Sequence, residues 1–322
     1  RNMLGVGAKF IGSYSATQSL SNLAGQGKPI PNVYASISPR SSMVLASKDF
    51  ATFADFGGVG DGSTDNAEPW RKIAAWASHR GFAGNTPKIR VPAGRYVSTS
   101  IPNLAINRLH IEFEGEVWLI NTGTGHSFII DGGAEGAGAY GLRITGWPQI
   151  YGPPKSSHGI YARSIHNSEI ELNCRGAGAA SAGFYGEWLV DNKISFIMSS
   201  NEGGLFSVPK RGMELGMRNH AEESSYNIVE LKISGMDTGL ILNGALGNNI
   251  RSGSIQNCGV GMNATRMAWD NKLWGIDFEN NDLDFRDASR RLCFYGCDIN
   301  TKGTFENGST GARVFGGRIE NL

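Results

Sequence analysis

Two glutamates, Glu187 and Glu214, carry the strongest chemical signal in this chain of 322 residues. Each lies just inside a Gly–apolar start, GFYGEW from Gly183 and GMELGM from Gly212. If each start opens a short strand whose first apolar residue turns inward, alternation turns the next residue outward. One outward column then holds Tyr161, Tyr185, Glu214, Ile241, Asn263 and Asp284. The neighbouring column holds Arg163, Glu187, Gly216, Asn243, Thr265 and Arg286. With strands ~4.8 Å apart and same-face residues ~6.6 Å apart, the two glutamates lie on a diagonal, ~8 Å between Cβ atoms. Carboxyl groups ~6.5–9.5 Å apart suit inverting glycoside hydrolysis, with room for a water between them. Tyr161, Tyr185 and Trp188 supply aromatic surface for sugar rings. Arg163 is expected beside Glu187, keeping it ionised, and Glu214, next to Ile241, is the expected proton donor. The plainer alternative is an Arg163–Glu187 surface ion pair with a solvated Glu214. A register error of one residue would reverse every face.

Other polar residues are weaker candidates. The spacing loosens around SSNEGGLFSVPKRG and GMRNHAEESSYN, and insertions in repeat proteins often line a binding face. Glu202, His220, Glu222 and Glu223 fall there as secondary acid–base candidates. A third insertion, between Gly133 and Gly159, offers Trp147, Tyr151 and His158 as glycan contacts. Asp277, Asp282, Asp284 and Asp287 would suit calcium, as a lyase requires. They mix with Arg286, Arg290 and Arg291, which favours a salt-bridged surface. His79, His126 and His166 have no partners at ligand spacing and read as structural. Cys174, Cys258, Cys293 and Cys297 form no CxxC pair and read as free, buried thiols. No metal or cofactor is expected, and GGVGDG lacks the strand–GxGxxG–helix setting of a nucleotide loop. Thirty basic against 29 acidic residues, net +1, gives no support for nucleic-acid binding, and no apolar run approaches a membrane span. The first residue is Arg1, so the chain reads as processed or as part of something longer.

The elements that must position these residues are visible as a repeat. Gly–apolar starts recur at Gly159, Gly183, Gly212, Gly239, Gly261 and Gly303, with LDFRD at Leu283 filling a gap. A second series runs in step through Asn167, Asn192, Asn227, Asn249 and Asn271. The unit is strand, turn, strand, turn in roughly 22 residues, a period of the repeat-protein range. Helical repeats fail because no unit has a long 3.6-residue apolar stretch, and leucine-rich repeats fail because LxxLxL is absent. Short alternating strands bounded by Gly and Asn predict a right-handed parallel β-helix of about three short strands per coil. Asparagines stacked at one corner would bond from coil to coil. Residues 1–48 are loop-rich, and 49–322 form the β-helix domain. Ala67, Trp70, Ile73, Ala74 and Ala77 predict one amphipathic helix near 66–80, capped by Asp65 or Ser63, ended by Gly81 and covering the first coil.

The stretch FADFGGVGDGSTDN, a helix, then KIRVPAGRYV resembles the opening motif of the pectate-lyase-like superfamily. The matching residues are Asp55, Phe56, Gly57, Gly60, Asp61, Gly62, Thr64 and Asp65, then Pro92, Gly94 and Tyr96. Within that superfamily the chain is similar to the β-helices of bacteriophage tailspikes, including a pre-helix segment from Gly5 to Leu23. The resemblance implies a homotrimer that binds, and often cleaves, a bacterial cell-surface polysaccharide such as capsule or O-antigen. It implies a virion-tail location acting at the bacterial surface, or secretion if the chain is bacterial. The motif itself marks the cap, so Asp61 and Asp65 are expected to be turn and helix-cap residues. Three activities compete: an endo-acting glycoside hydrolase, a glycan-binding module that does not cleave, and a polysaccharide lyase.

Overall fold

The computed structural model describes residues 50–82, 86–133, 138–152, 157–176, 181–199, 210–217, 223–300, 302–306 and 309–319. The expected N-terminal segment 1–48 lies outside them. The described residues wind into a parallel β-helix whose strands collect into a 17-stranded and an 11-stranded sheet. The larger sheet carries strands such as Glu169–Gly176, Lys193–Ser199, Ile228–Ser234, Asn249–Gln256 and Lys272–Glu279. The smaller sheet carries Phe128–Asp131, Ile160–His166, Ala182–Val190, Arg211–Gly216, Thr238–Asn243, Val260–Ala264 and Leu283–Asp287. Toward both ends the larger sheet takes two strands from each coil, such as His110–Phe113 with Val117–Asn121 and Cys293–Tyr295 with Asp298–Ile299, which make three with the smaller sheet. In the middle coils the two fuse: Glu169–Gly176 pairs with both Arg143–Thr145 and Gln149–Tyr151. A short extra ladder follows the smaller sheet, Ser224–Ser225 on Ala245–Leu246 and single bridges from Leu246 through Trp269 and Arg290 to Thr310.

The first coil precedes the helix rather than following it. Phe50–Thr52 pairs with Lys88–Val91, and Asp61 and Asp65 pair with Arg95 and Val97. The helix Ala67–Phe82 is inserted between these two coils and runs through Gly81. It buries Trp70, Ile73, Trp76 and Ala77 against that coil, with Phe53 4.5 Å from Trp70 and Phe56 5.6 Å from Trp76 between ring centroids. Each buried Trp removes ~200 Å² from water, an upper bound of ~5 kcal/mol. Asp61 closes its turn by accepting from the Ser63 and Thr64 amides, both at 2.8 Å. Asp65 accepts from the Ala67 amide at 3.0 Å and ties the helix start to Thr99.

Between the sheets lies one continuous apolar core. At one corner an amide ladder replaces it. Asn192 donates to Asn227 at 2.9 Å, Asn227 to Asn248 at 2.8 Å, and Asn248 to Asn271 at 3.0 Å. The rungs are Ser168 and Asn248, not the expected Asn167 and Asn249. The residue before each rung turns the corner with a left-handed backbone (Asn167 φ 49°, Asp191 φ 56°, Tyr226 φ 57°, Asp270 φ 53°), so the following side chain enters the corner. Cys174, Cys258 and Cys297 are buried thiols, and burial pushes Cys174 up to about 12. Cys293 is half-buried instead.

Candidate functional site

Tyr161, Tyr185, Glu214, Ile241 and Asn263 pair in one unbroken column across the smaller sheet, in the predicted register. Asp131, Arg163, Glu187, Gly216 and Asn243 form the next column. Glu187 and Glu214 are therefore diagonal neighbours on adjacent strands. Gly216, opposite Glu187, carries no side chain, and the Tyr185 hydroxyl reaches over it, 3.7 Å from where a Cβ would stand. The end of the first column differs from expectation: Asn263 pairs with Arg286, and Asp284 turns inward. Asp284 occupies the slot that Gly261 holds one coil earlier, and Asn281 donates to it at 3.0 Å. Asp287 is also buried and accepts from Ser289 and Ser309. The aspartates thus serve the fold, and no metal-holding group of His, Cys, Asp or Glu forms among the described residues.

The two glutamates stand in different surroundings. Glu214 is 6% exposed and contacts Arg211 and Asn243. Burial pushes its carboxyl up, and the negative Glu187 adds to this, outweighing the opposing pull of Arg211 and Asn243. Glu187 is partly exposed and accepts a hydrogen bond from the Tyr185 hydroxyl at 2.6 Å. Burial first, then the bond and charge of Glu187, raise the Tyr185 phenol and keep its proton on oxygen. Glu187 is thus a hydrogen-bond acceptor, whereas Glu214 is biased toward its protonated form.

Arg163 does not pair with Glu187. It grips Asp131 bidentately, at 2.7 Å from Nε and 2.5 Å from Nη2. Both carboxylates flank it in register, but Asp131 offers two oxygens to the planar fork while Glu187 is held by Tyr185.

Two histidines that the sequence left outside the catalytic set complete the face. His126 stacks on Tyr161 at 4.7 Å, and His158 stacks on Tyr185 at 4.5 Å. The His158 amide donates to His126 Nδ1 and the Ala182 amide to His158 Nδ1, both at 3.1 Å. Both rings are therefore neutral and carry their proton on Nε2. Burial, His126 and Arg211 hold His158 down at about 4, and burial lowers His126. The overlooked signal is positional: His126 and His158 each precede by two residues the first inward residue of a strand, Phe128 and Ile160.

The remaining candidates separate. Trp188 follows Glu187 directly and meets His166 edge-on. Tyr151 belongs to the larger sheet, where it is buried and stacks on Trp118 at 5.0 Å, and the exposed Trp147 lies in the turn between two strands of that sheet. Glu223 is half-buried and bridges to Met217, next to Gly216. Glu202, His220 and Glu222 lie outside the described residues.

No family model matches the chain, and no curated protein matches it. Among solved structures, ORF18 of Geobacillus virus E2 superposes with a TM-score of 0.61 at 13% identity. The match covers 89% of this chain and 65% of the viral one, so this chain spans less than two thirds of that protein. PfbA, a surface adhesin of Streptococcus pneumoniae, superposes with a TM-score of 0.56 at 13% identity, covering 84% of this chain and 80% of its own. At such identity the likeness shows the fold alone. Together with the parallel strand pairing, it defines the chain as a parallel β-helix protein.

Proposed function

We propose that the chain binds and cleaves a bacterial surface polysaccharide on the outer face of the smaller sheet. The observation that carries this reading is the diagonal glutamate pair with opposed environments: a buried Glu214 biased toward its acid form, and an accessible Glu187 held as an acceptor. In the proposed hydrolysis Glu214 gives its proton to the glycosidic oxygen as the carbon–oxygen bond breaks. Glu187 takes a proton from the water that attacks the anomeric carbon from the opposite face, which inverts the configuration. Tyr185 fixes the Glu187 carboxylate, and the Tyr161–His126 and Tyr185–His158 stacks supply a rigid aromatic floor. The likeness of the Asp55–Tyr96 motif to the pectate-lyase-like superfamily supports a polysaccharide substrate. By the tailspike resemblance the chain works as a homotrimer at a virion tail.

The test is a panel of capsular and lipopolysaccharide glycans, assayed for new reducing ends and for the ultraviolet absorbance of an unsaturated product. Reducing ends without absorbance are expected. Glu187→Gln and Glu214→Gln should each lower turnover by ~10²–10⁴-fold while folding is kept. Absorbance in the product would replace hydrolysis with elimination, and full turnover in both variants would move the site elsewhere. A second reading, binding without cleavage, is favoured by the internal pairing of Arg163 with Asp131, Arg211 with Glu214 and Tyr185 with Glu187. Tight binding with no new reducing ends would establish it.

A further inference from the structure

The corner that closes the smaller sheet carries a second aromatic group. The Tyr140 ring lies flat on His166, with centroids 4.8 Å apart and planes 19° apart. Trp188 meets the same imidazole edge-on at 5.1 Å and 88°. Tyr140 is 50% exposed, Trp188 is partly exposed, and His166 is 7% exposed.

Two observations set this group apart from ordinary packing. The first is its backbone. Ser164 and Trp188 face each other in register, and Gly244 holds the same place two coils beyond Trp188. All three have a left-handed backbone, with φ of 55°, 51° and 77°. Glycine adopts that conformation freely, whereas a bulky aromatic is an outlier there. The corner geometry therefore does not ask for tryptophan. The second observation is chemical. His166 Nε2 is buried with no hydrogen-bond partner among the described residues, although buried polar atoms are almost always bonded. Burial pushes this imidazole down, so it is neutral and Nε2 either donates or accepts, depending on its tautomer.

Position supplies the function. The same two coils carry His158, Tyr161 and Tyr185 at the start of their strands, with Glu187 between that stack and the corner. Trp188 lies ~10 Å along the strand from Tyr185, about two sugar units. Along the axis the outward column becomes Ile241, Asn263 and Arg286, with no ring to receive a sugar.

We propose that Tyr140, His166 and Trp188 form a second saccharide subsite, across Glu187 from the tyrosine–histidine stack. A glycan then lies along the strands, crossing the coils instead of following the helix axis. The apolar face of a sugar ring packs on the indole. The half-exposed Tyr140 ring borders the same surface, and the His166 imidazole between the two rings holds them in place. This rests on the glycan-processing reading above and adds where the chain binds and in which direction it runs.

The experiment uses the same capsular and lipopolysaccharide oligosaccharides, titrated calorimetrically against Glu187→Gln protein so that none is cleaved. Trp188→Gly and Tyr140→Ala are added in turn, with Asn263→Ala as the control farther along the axis. Glycine suits the left-handed corner, so Trp188→Gly should melt no lower than its parent. Trp188→Ser, which copies Ser164, stands in if it does. Each ring deletion should weaken binding about tenfold or more, with no change for Asn263→Ala. If the parent binds a glycan and both deletions bind it equally well, the subsite is wrong and the proposed function stands. If Asn263→Ala weakens binding as much as they do, the glycan follows the axis and the direction is wrong. If the parent binds no glycan, both readings fall.

Discussion

Replacing Asn227 by alanine tests the amide ladder that sets the coil register beneath the candidate site. Asn227 is fully buried. Its Nδ2 donates to the Leu189 carbonyl at 2.7 Å and to Asn248 Oδ1 at 2.8 Å. Its Oδ1 accepts from the Asn192 amide at 3.0 Å and from Asn192 Nδ2 at 2.9 Å. Alanine removes all four bonds and leaves the partners without water. At ~1 kcal/mol net for each bond, Asn227→Ala should cost ~4 kcal/mol. A domain of this size loses ~2–4 °C of melting temperature per kcal/mol, so the transition should fall by ~8–16 °C. Asn271, the last rung, makes three side-chain bonds, to the Asn248 amide, Asn248 Nδ2 and the Ala245 carbonyl. Asn271→Ala should therefore cost ~3 kcal/mol, less than the central rung. Asn227→Asp keeps the shape but turns a donor into an acceptor facing two acceptors, so it should be at least as damaging at neutral pH as alanine. Urea unfolding followed by circular dichroism and tryptophan fluorescence reads these costs, resolving separate transitions if the coils unfold in stages. A loss below ~1 kcal/mol at Asn227, or a larger loss at Asn271, would refute the ladder as a source of stability.

Three further outcomes follow from the titrating groups. The Thr99 hydroxyl and the Thr99 and Ala67 amides hold the Asp65 carboxyl below its ordinary range, so its contribution is present above that range and lost as pH falls through the lowered value. Asp65→Ala should cost ~1 kcal/mol at neutral pH and flatten the acid limb of the melting curve. His158 titrates near 4 when folded against 6.5 when free, so the unfolded chain binds more protons in that window and stability falls on acidification through it. His158→Gln should make that slope shallower in melts run across the same window, the rest coming from the lowered His126 and His166. The Glu214 carboxyl is raised, so the folded protein holds its proton longer and stability declines as pH rises from the ordinary 4.5 toward the raised value. Glu214→Gln should abolish that decline, and cleavage by the unmodified protein should fall on the alkaline side as this proton is lost.

Parts of the fold with steric reasons were legible in the sequence. A Cβ on Gly212 would lie 2.5 Å from the Gly239 carbonyl oxygen, and one on Gly239 would lie 2.6 Å from that of Gly261. At these two coils a Cβ would clash with the next coil's backbone, so glycine spacing reports the coil period and the outward columns that hold both glutamates. Where Asp284 takes the glycine slot the signal ends, and the predicted column goes astray at that coil. The corner shows a finer limit. Asn248 and Asn249 are chemically identical neighbours, and only the left-handed residue preceding each rung decides which amide enters the ladder. One side of the site is not legible, for a related reason. Asp131 and His126 lie in a coil that opens on HSFIID, without the Gly–apolar start, so neither was placed beside Arg163 and Tyr161. The glycine pattern therefore puts one carboxylate in reach of Arg163 where the fold puts two, and residue types alone do not say which a guanidinium takes. What decides it is competition: Tyr185 occupies Glu187 from the same strand two residues away, and Asp131 turns both oxygens to the fork, with the Gly133 amide steadying Oδ1 at 2.9 Å. That local contest leaves the half-buried Glu187 as an acceptor with no salt bridge to a cation among the described residues, the condition a base needs to take a proton from water.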